Sequence, residues 1–180
     1  MRLTGKEDYL NQPQPSLIPD AEKELVPFII AIDTREQHPF TFAGLDKKVY
    51  TNRQTLRTGD YSIVGLERRI CVERKSKMDL FGSVIQGRDR FERELRRMAK
   101  MERACVIVEC TMDDVKAGIA ESRVDPLNVV LTAISWAGRY RVPWFFMHDR
   151  REAERATFDF LRFAWRDFTT KKGGEDENPV

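Results

Sequence analysis

Apolar residues occur along this chain in short unbroken runs, and such runs predict strands that are covered on both faces. One run spans residues 28–32 and another spans residues 104–108. Residues 142–147 predict a further strand, and residues 61–64 and 70–73 predict two more. Because only a short turn joins these last two, we expect them to pair in antiparallel fashion.

A helix is predicted over residues 88–101. Its apolar residues recur at helical spacing and form the core side of the helix, with Phe91, Leu95 and Met98. The other side is basic, with Arg90, Arg93, Arg96, Arg97 and Lys100. A short helix or turn is predicted just before it, at residues 76–85.

Two more helices are predicted in the second half of the chain. Asp125 followed by Pro126 is a helix-start pattern. The apolar stripe of this helix is expected to comprise Leu127, Val130, Leu131, Ile134 and Ala137. Asp149 and Glu152 form a capping-box pattern for the last helix, which we expect to run to about Phe168.

The order of these elements predicts the fold class. Early strands, including a more polar segment at 49–56 that predicts an edge strand, are followed by alternating strands and helices. This pattern favours an α/β fold with a mixed central sheet flanked by helices. We expect an N-terminal extension over residues 1–26, one folded domain over 27–168 and a flexible tail over 169–180.

Composition narrows the class of protein. Of the 180 residues, 41% are hydrophobic, which is enough for one domain with a real core. The net charge is only +2, so a nucleic-acid site must be a local patch. The three cysteines lack paired metal-ligand spacing and suit a reducing compartment. With no membrane-length apolar segment or signal peptide, we expect a cytoplasmic protein, or a nuclear one in a eukaryote.

Acidic residues lie at the ends of the predicted strands, next to a lysine. Asp33 ends the first strand, Asp60 precedes the third, and Glu73 ends the fourth. Lys75 lies two residues after Glu73 and so shares its side of the strand. Carboxylates in this arrangement suit Mg²⁺, which prefers oxygen ligands and activates water for phosphodiester hydrolysis. Taken singly, Glu-x-Lys is more often a solvated ion pair on an exposed strand, and Gly-Asp before a strand is ordinary turn chemistry.

Longer motifs around these residues resemble a known family. They are Ile32-Asp33-Thr34-Arg35-Glu36, Gly59-Asp60-Tyr61, Val72-Glu73-Arg74-Lys75 with Asp79 four residues after the lysine, and Ser83-Val84-Ile85-Gln86-Gly87-Arg88. Together they resemble the nuclease domain of the XPF family, the structure-specific endonuclease branch of the restriction-endonuclease-like fold. Its signature is GD, a variable gap, then ERK, three residues and D. The resemblance covers about residues 27 to 168.

The resemblance implies metal-dependent cleavage of DNA at branches, flaps or junctions, in repair or recombination. It implies Asp33, Asp60 and Glu73 as ligands of Mg²⁺ or Mn²⁺, with the Arg74 carbonyl as a further candidate, and these carboxylates with Lys75 as the catalytic group. Supporting polar residues would be Arg35, Glu36, Arg74 and Asp79. The alternative is a non-catalytic DNA-binding or scaffold subunit of the same fold. We favour the enzyme because the carboxylates and the lysine are all in place.

DNA contacts are expected from the basic side of helix 88–101, through Arg88, Arg93 and Arg97. The alternative is a solvated face paired with Glu92, Glu94 and Glu102. Family members usually carry a helix-hairpin-helix module after the nuclease domain, and none is recognised here. Three alternatives follow: a partner holds the DNA, the domain recognises DNA alone, or the activity is simpler than branch-specific cutting.

The last helix is apolar around much of its circumference. It either lies in the core on both sides or forms a dimer interface. Because the family pairs its nuclease domains, we expect a homodimer or heterodimer through the C-terminal helices, with a contribution from Trp136.

Overall fold

The computed structural model describes residues 26–46, 48–120 and 122–170, and residues 1–25 of the predicted extension and most of the predicted tail lie outside them. The strands are β1 (Ile29–Asp33), β2 (Tyr50–Gln54), β3 (Tyr61–Ile63), β4 (Ile70–Lys75), β5 (Arg103–Val108) and β6 (Trp144–Phe146). The helices are α1 (Lys77–Ile85), α2 (Arg88–Met98), α3 (Met112–Lys116), α4 (Pro126–Tyr140) and α5 (Arg150–Thr170).

The six strands form one mixed sheet in the order β2-β1-β3-β4-β5-β6. Strand β1 runs parallel to β2 and antiparallel to β3, and β3 runs antiparallel to β4. The strands β4, β5 and β6 are parallel to one another. The predicted α/β class, the antiparallel β3–β4 pair and the edge position of β2 are therefore confirmed.

Helices cover both faces of the sheet. One core contains α1, α2 and α4, and Trp136 lies fully buried within it. The other core contains α5 and a group of aromatic rings around Phe42 and Tyr61. Among the described residues, no helix is long and apolar enough to cross a membrane.

Several element boundaries differ from the predicted ones for local reasons. Strand β4 continues to Lys75, because the carbonyl oxygen of Lys75 accepts a ladder hydrogen bond from the Glu109 amide at 2.8 Å. Helix α2 ends at Met98, where the chain enters a turn. The unpredicted α3 begins with a reciprocal capping box between Thr111 and Asp114.

The predicted apolar stripe of α4 is largely wrong. Leu127, Leu131 and Ile134 are more than half exposed, whereas the buried residues are Val129, Val130, Ala133, Trp136 and Tyr140. Both sets repeat at helical spacing, so the periodicity of this helix does not by itself decide which side packs on the sheet.

The core accounts for most of the apolar circumference of α5. Phe158, Leu161 and Ala164 are buried against the sheet, and the Trp165 indole donates a hydrogen bond to the Val26 carbonyl at 2.7 Å. Phe163 is half exposed. Trp136 was expected to contribute to a dimer interface, but its complete burial places it in the core of the chain itself. Dimerisation stays a prediction.

The position of α4 makes a direct prediction about stability. Trp136→Ala should lower the free energy of unfolding by about 3–5 kcal/mol, because it empties a large core site. Leu131→Gln should change it by no more than about 0.5 kcal/mol, because that side chain faces solvent. Urea unfolding of both variants measures the difference, and a larger loss for Leu131→Gln would contradict the observed packing.

Candidate active site

The register of three neighbouring strands brings three acidic residues level with one another. Ile32 pairs with Tyr61, and Tyr61 pairs with Val72. The next residues, Asp33 and Glu73, therefore flank Asp60 on either side. The Asp33 amide donates to the Asp60 carbonyl at 2.8 Å, and the Asp60 amide donates to the Val72 carbonyl at 2.8 Å.

All three carboxylates project from the face of the sheet that α2 covers. Ile32, Tyr61 and Val72 belong to the core on the α5 side, so the alternation of side chains along each strand directs their neighbours to the other face. There they line an open cleft of about 430 Å³ together with residues of α2. The polar lining suits a charged ligand.

Gly59 gives the turn before β3 its shape. Its φ of +73° lies in the left-handed region, and a Cβ atom there would lie 2.9 Å from the Val72 carbonyl oxygen. The Gly-Asp pair of the motif thus has a steric cause: only glycine lets the chain pass this close to β4 before it presents Asp60.

Asp60 and Glu73 each keep one carboxylate oxygen available. The Arg74 amide donates to Asp60 Oδ2 at 2.8 Å. The Lys75 ammonium donates to Glu73 Oε1 at 2.9 Å and lies 4.1 Å from the centre of the Phe91 ring. Among the described residues, no hydrogen-bond donor reaches Asp60 Oδ1 or Glu73 Oε2.

The electrostatics of this pair favour a cation. Burial raises the pKa of Asp60 well above its ordinary value, and the neighbouring Glu73 charge raises it further against the opposing Arg74 hydrogen bond. Burial likewise raises the pKa of Glu73, although Lys75 lowers it in part. Two adjacent carboxylates with available oxygens and excess negative charge fit the ligand chemistry of Mg²⁺.

Both carboxylate oxygens of Asp33 accept hydrogen bonds from the protein, unlike those of Asp60 and Glu73. Arg35 donates to its two oxygens through Nε at 2.9 Å and Nη2 at 2.6 Å, and the Leu56 amide adds a bond at 3.1 Å. Burial alone would raise the pKa of Asp33, but these hydrogen bonds hold it below its ordinary value. Among the described residues, no three metal-ligating side chains form a preassembled cluster. Asp33 thus anchors Arg35 in this structure, and its role as a metal ligand stays a prediction.

The other predicted supporting residues lie away from the cleft. Arg74 projects to the opposite face, where it pairs with Glu109 at 2.6 Å and with Glu36 at 3.3 Å. Asp79 lies in the first turn of α1 and accepts a hydrogen bond from Ser76. These contacts brace the ends of the strands and the start of α1.

The arginines of α2 differ in their surroundings. Arg88, at the first position of the helix, pairs with Glu92 at 3.4 Å and lies over the Trp136 ring. Arg93 is exposed. Arg97 lines the cleft and forms an ion pair with Glu94.

The sequence analysis missed one cleft residue, Glu94, and it placed a second, Arg90, on the basic side of the helix without naming it among the expected DNA contacts. Glu94 lines the cleft and accepts a hydrogen bond from the Gly59 amide at 3.0 Å. Arg90 lines both this cleft and a neighbouring hollow beside α1. The sequence signal for Glu94 was helical spacing, because residues three apart on a helix are neighbours and Glu94 lies three residues after Phe91. In the structure the Phe91 ring contacts Lys75, so this side of the helix faces the cleft.

The raised pKa of Asp60 predicts a pH-dependent stability effect. Between its unfolded and folded pKa values the folded chain binds more protons, so the free energy of unfolding falls as pH rises through this window. In EDTA, Asp60→Asn should therefore stabilise the protein at pH 8, and the gain should shrink as pH falls to about 4, where the unfolded carboxyl also becomes protonated. Urea unfolding across this range measures the effect. Asp113→Asn, at an exposed position of α3, is the control and should show no such pH-dependent gain. A loss of stability in Asp60→Asn that does not depend on pH would contradict the prediction.

Comparisons with known proteins place this site in a family. The model of the ERCC4 domain matches residues 32–160, well over half of the chain. One similar solved structure is XPF from Aeropyrum pernix, with a TM-score of 0.61 and 20% identity, covering 80% of this chain and 68% of that one. Another is XPF from Aeropyrum pernix in complex with DNA, with a TM-score of 0.57 and 20% identity, covering 83% and 68%. The search of curated protein sequences gave no match.

The family match spans both the Gly-Asp and the Glu-Arg-Lys motifs of the cleft. At 20% identity, the two XPF structures show a common fold. The chain belongs to the ERCC4 domain family and has the fold of an XPF nuclease domain.

Proposed function

We propose that this domain is a divalent-metal-dependent endonuclease that hydrolyses phosphodiester bonds in branched, flap or junction DNA. The observation that carries the proposal is the charge pairing of the cleft. Asp33 pairs with Arg35, Glu73 with Lys75 and Glu94 with Arg97. Among the described residues Asp60 has no cationic side chain within ion-pair distance, although it lies partly buried beside Glu73.

The residues that would hold the metal are Asp60 and Glu73, through the oxygens that no donor reaches. Mg²⁺ or Mn²⁺ bound there would act as a Lewis acid and lower the pKa of a bound water. The Arg74 carbonyl stays a predicted further ligand. Asp33 contributes by anchoring Arg35, whose side chain is 70% exposed and lines the cleft.

Lys75 supplies a positive charge to the same point. Its side chain is only 11% exposed, and Glu73 and the Phe91 ring fix the direction of the ammonium group. A cation held in this way stabilises negative charge that develops on a phosphoryl group or orients an attacking water, and it needs little rearrangement to do so.

The rim of the cleft supplies candidate phosphate contacts. Arg90 is exposed and lines the cleft, and among the described residues no carboxylate forms an ion pair with it. It therefore joins Arg88, Arg93 and Arg97 as a proposed DNA contact. The similar A. pernix XPF in complex with DNA supports DNA as the substrate class.

The second candidate function is a non-catalytic DNA-binding or scaffold subunit. The available Asp60 and Glu73 oxygens beside a fixed lysine favour cutting, because a scaffold gains nothing from a partly buried pair of like charges. Pairing with a second subunit through the C-terminal helices remains part of the proposal. Phe163 is the half-exposed apolar residue of α5 that such a contact would cover.

Cleavage assays test the catalytic proposal. With Mg²⁺ or Mn²⁺, the protein should cut at least one of flap, fork and junction DNA more efficiently than linear duplex, and EDTA should abolish cutting. Asp60→Asn and Lys75→Ala should each lower the cleavage rate by about 10²–10³-fold, since each removes a group that stabilises developing charge.

Asp113→Asn is the matched control, because this carboxylate lies on the exposed surface of α3. It should cut at the parent rate. Binding of branched DNA with no cleavage under any metal condition would favour the scaffold function, and cleavage by the two site variants at the parent rate would rule out this active site.

A further inference from the structure

We propose that Glu94 is a positioning residue that fixes the Gly59–Asp60 turn and so sets the place of the Asp60 carboxylate. The inference rests on the proposed function only where it links Asp60 to a metal. The contact itself is between α2 and a turn 35 residues earlier in the chain, where Glu94 Oε1 accepts the Gly59 N–H at 3.0 Å.

The Gly59 amide needs a partner from outside the sheet. Strand β3 begins at Tyr61, and the backbone bond that ties the turn to β4 comes from the Asp60 amide. Glu94 supplies the acceptor, and a carboxylate acceptor makes a hydrogen bond of roughly twice the strength of a neutral one. The two amides of the turn are thus held from two directions, by the Val72 carbonyl and by Glu94.

Glu94 is itself fixed at both ends. Arg97 binds its second oxygen, and its side chain is only 18% exposed. The neighbouring Leu95 and nearby Phe91 are buried in the core, which sets the rotation of α2. A continuous line of contacts therefore leads from the core through α2 and Glu94 to the turn that carries Asp60. One oxygen of Glu94 thus accepts from Gly59 and the other from Arg97, so both ends of the carboxylate are held by the protein.

Three changes at this position separate placement from charge. Glu94→Leu removes the acceptor. Glu94→Asp keeps the charge and should fold, but its shorter side chain falls out of hydrogen-bond reach of Gly59. Glu94→Gln combined with Arg97→Gln keeps a carbonyl acceptor for Gly59 and leaves no cation to compete for that oxygen, and because it removes one charge of each sign it leaves the net charge of the cleft unchanged.

Glu92→Leu is the matched control on the same helix. The Glu92 carboxylate accepts hydrogen bonds from Trp136 at 3.2 Å and Tyr140 at 2.8 Å, and in the described part of the chain it forms no hydrogen bond with the Gly59–Asp60 turn. This variant shows how far weaker packing of α2 alone changes Gly59 exchange and Mn²⁺ affinity while the Glu94 contact is intact.

Two readouts are needed, amide hydrogen exchange of Gly59 by NMR and Mn²⁺ affinity by electron paramagnetic resonance. Glu94→Leu and Glu94→Asp should both raise Gly59 exchange about tenfold relative to the buried Ile107 amide, as expected for a lost charge-assisted hydrogen bond. Both should weaken Mn²⁺ binding by about 10–100-fold, the usual cost of losing a residue that orients a ligand. The Gln double variant and Glu92→Leu should leave both readouts near parent values.

Unchanged Gly59 exchange in Glu94→Leu and Glu94→Asp would overturn the proposal. So would Mn²⁺ affinity that follows charge, kept in Glu94→Asp and lost in Glu94→Leu, because Glu94 would then act electrostatically. If the parent binds no Mn²⁺, the metal part of the proposed function fails, and the exchange pattern alone decides the role of Glu94.

Discussion

The backbone pairing of β3 with β4 is the constraint on which the cleft depends. Tyr61 opposite Val72 sets Asp60 beside Glu73, and a shift of one residue would direct one of these carboxylates into the aromatic core on the other face. Gly59 makes the pairing sterically feasible, since any larger residue would meet the Val72 carbonyl. The result is a partly buried pair of like charges, which the fold accepts at the expense of stability.

The rest of the polar structure near the cleft holds that pair in place without neutralising Asp60. On the cleft face, ion pairs satisfy Asp33, Glu73 and Glu94. On the opposite face, Arg74 bridges Glu36 and Glu109, and Arg150 at the start of α5 joins Glu109 at 2.8 Å. The strand ends are thus cross-linked by charge on both faces, and Asp60 keeps an oxygen for an external cation.

Much of this arrangement follows from the sequence because it is local. The Gly-Asp turn, the strand that ends near Glu73 and the two-residue spacing to Lys75 are all short-range patterns, and they predicted the α/β class and the central carboxylates. The roles of Asp33 and Glu94 depend instead on neighbours that tertiary packing supplies. Arg35 turns back onto Asp33, and α2 rotates so that Glu94 meets a turn far away in the chain.

Helix α4 shows the same limit in the core. Leu127, Leu131 and Ile134 form one apolar stripe and Val129, Ala133 and Trp136 form another, and only contact with the sheet selects the second. Apolar periodicity predicts that a helix exists, whereas its facing side is a property of the packed domain.

The central claim is that Asp60 and Glu73 together bind a divalent cation. The most direct measurement is a crystal structure of the protein soaked in Mn²⁺, with anomalous diffraction data to locate the ion. The account predicts an anomalous peak within coordination distance, about 2.0–2.3 Å, of one oxygen of Asp60 and one of Glu73, and no peak there in Asp60→Asn. Two results would contradict the claim: no peak in the cleft of a crystal in which Mn²⁺ occupies other sites, or a cleft peak that persists in Asp60→Asn.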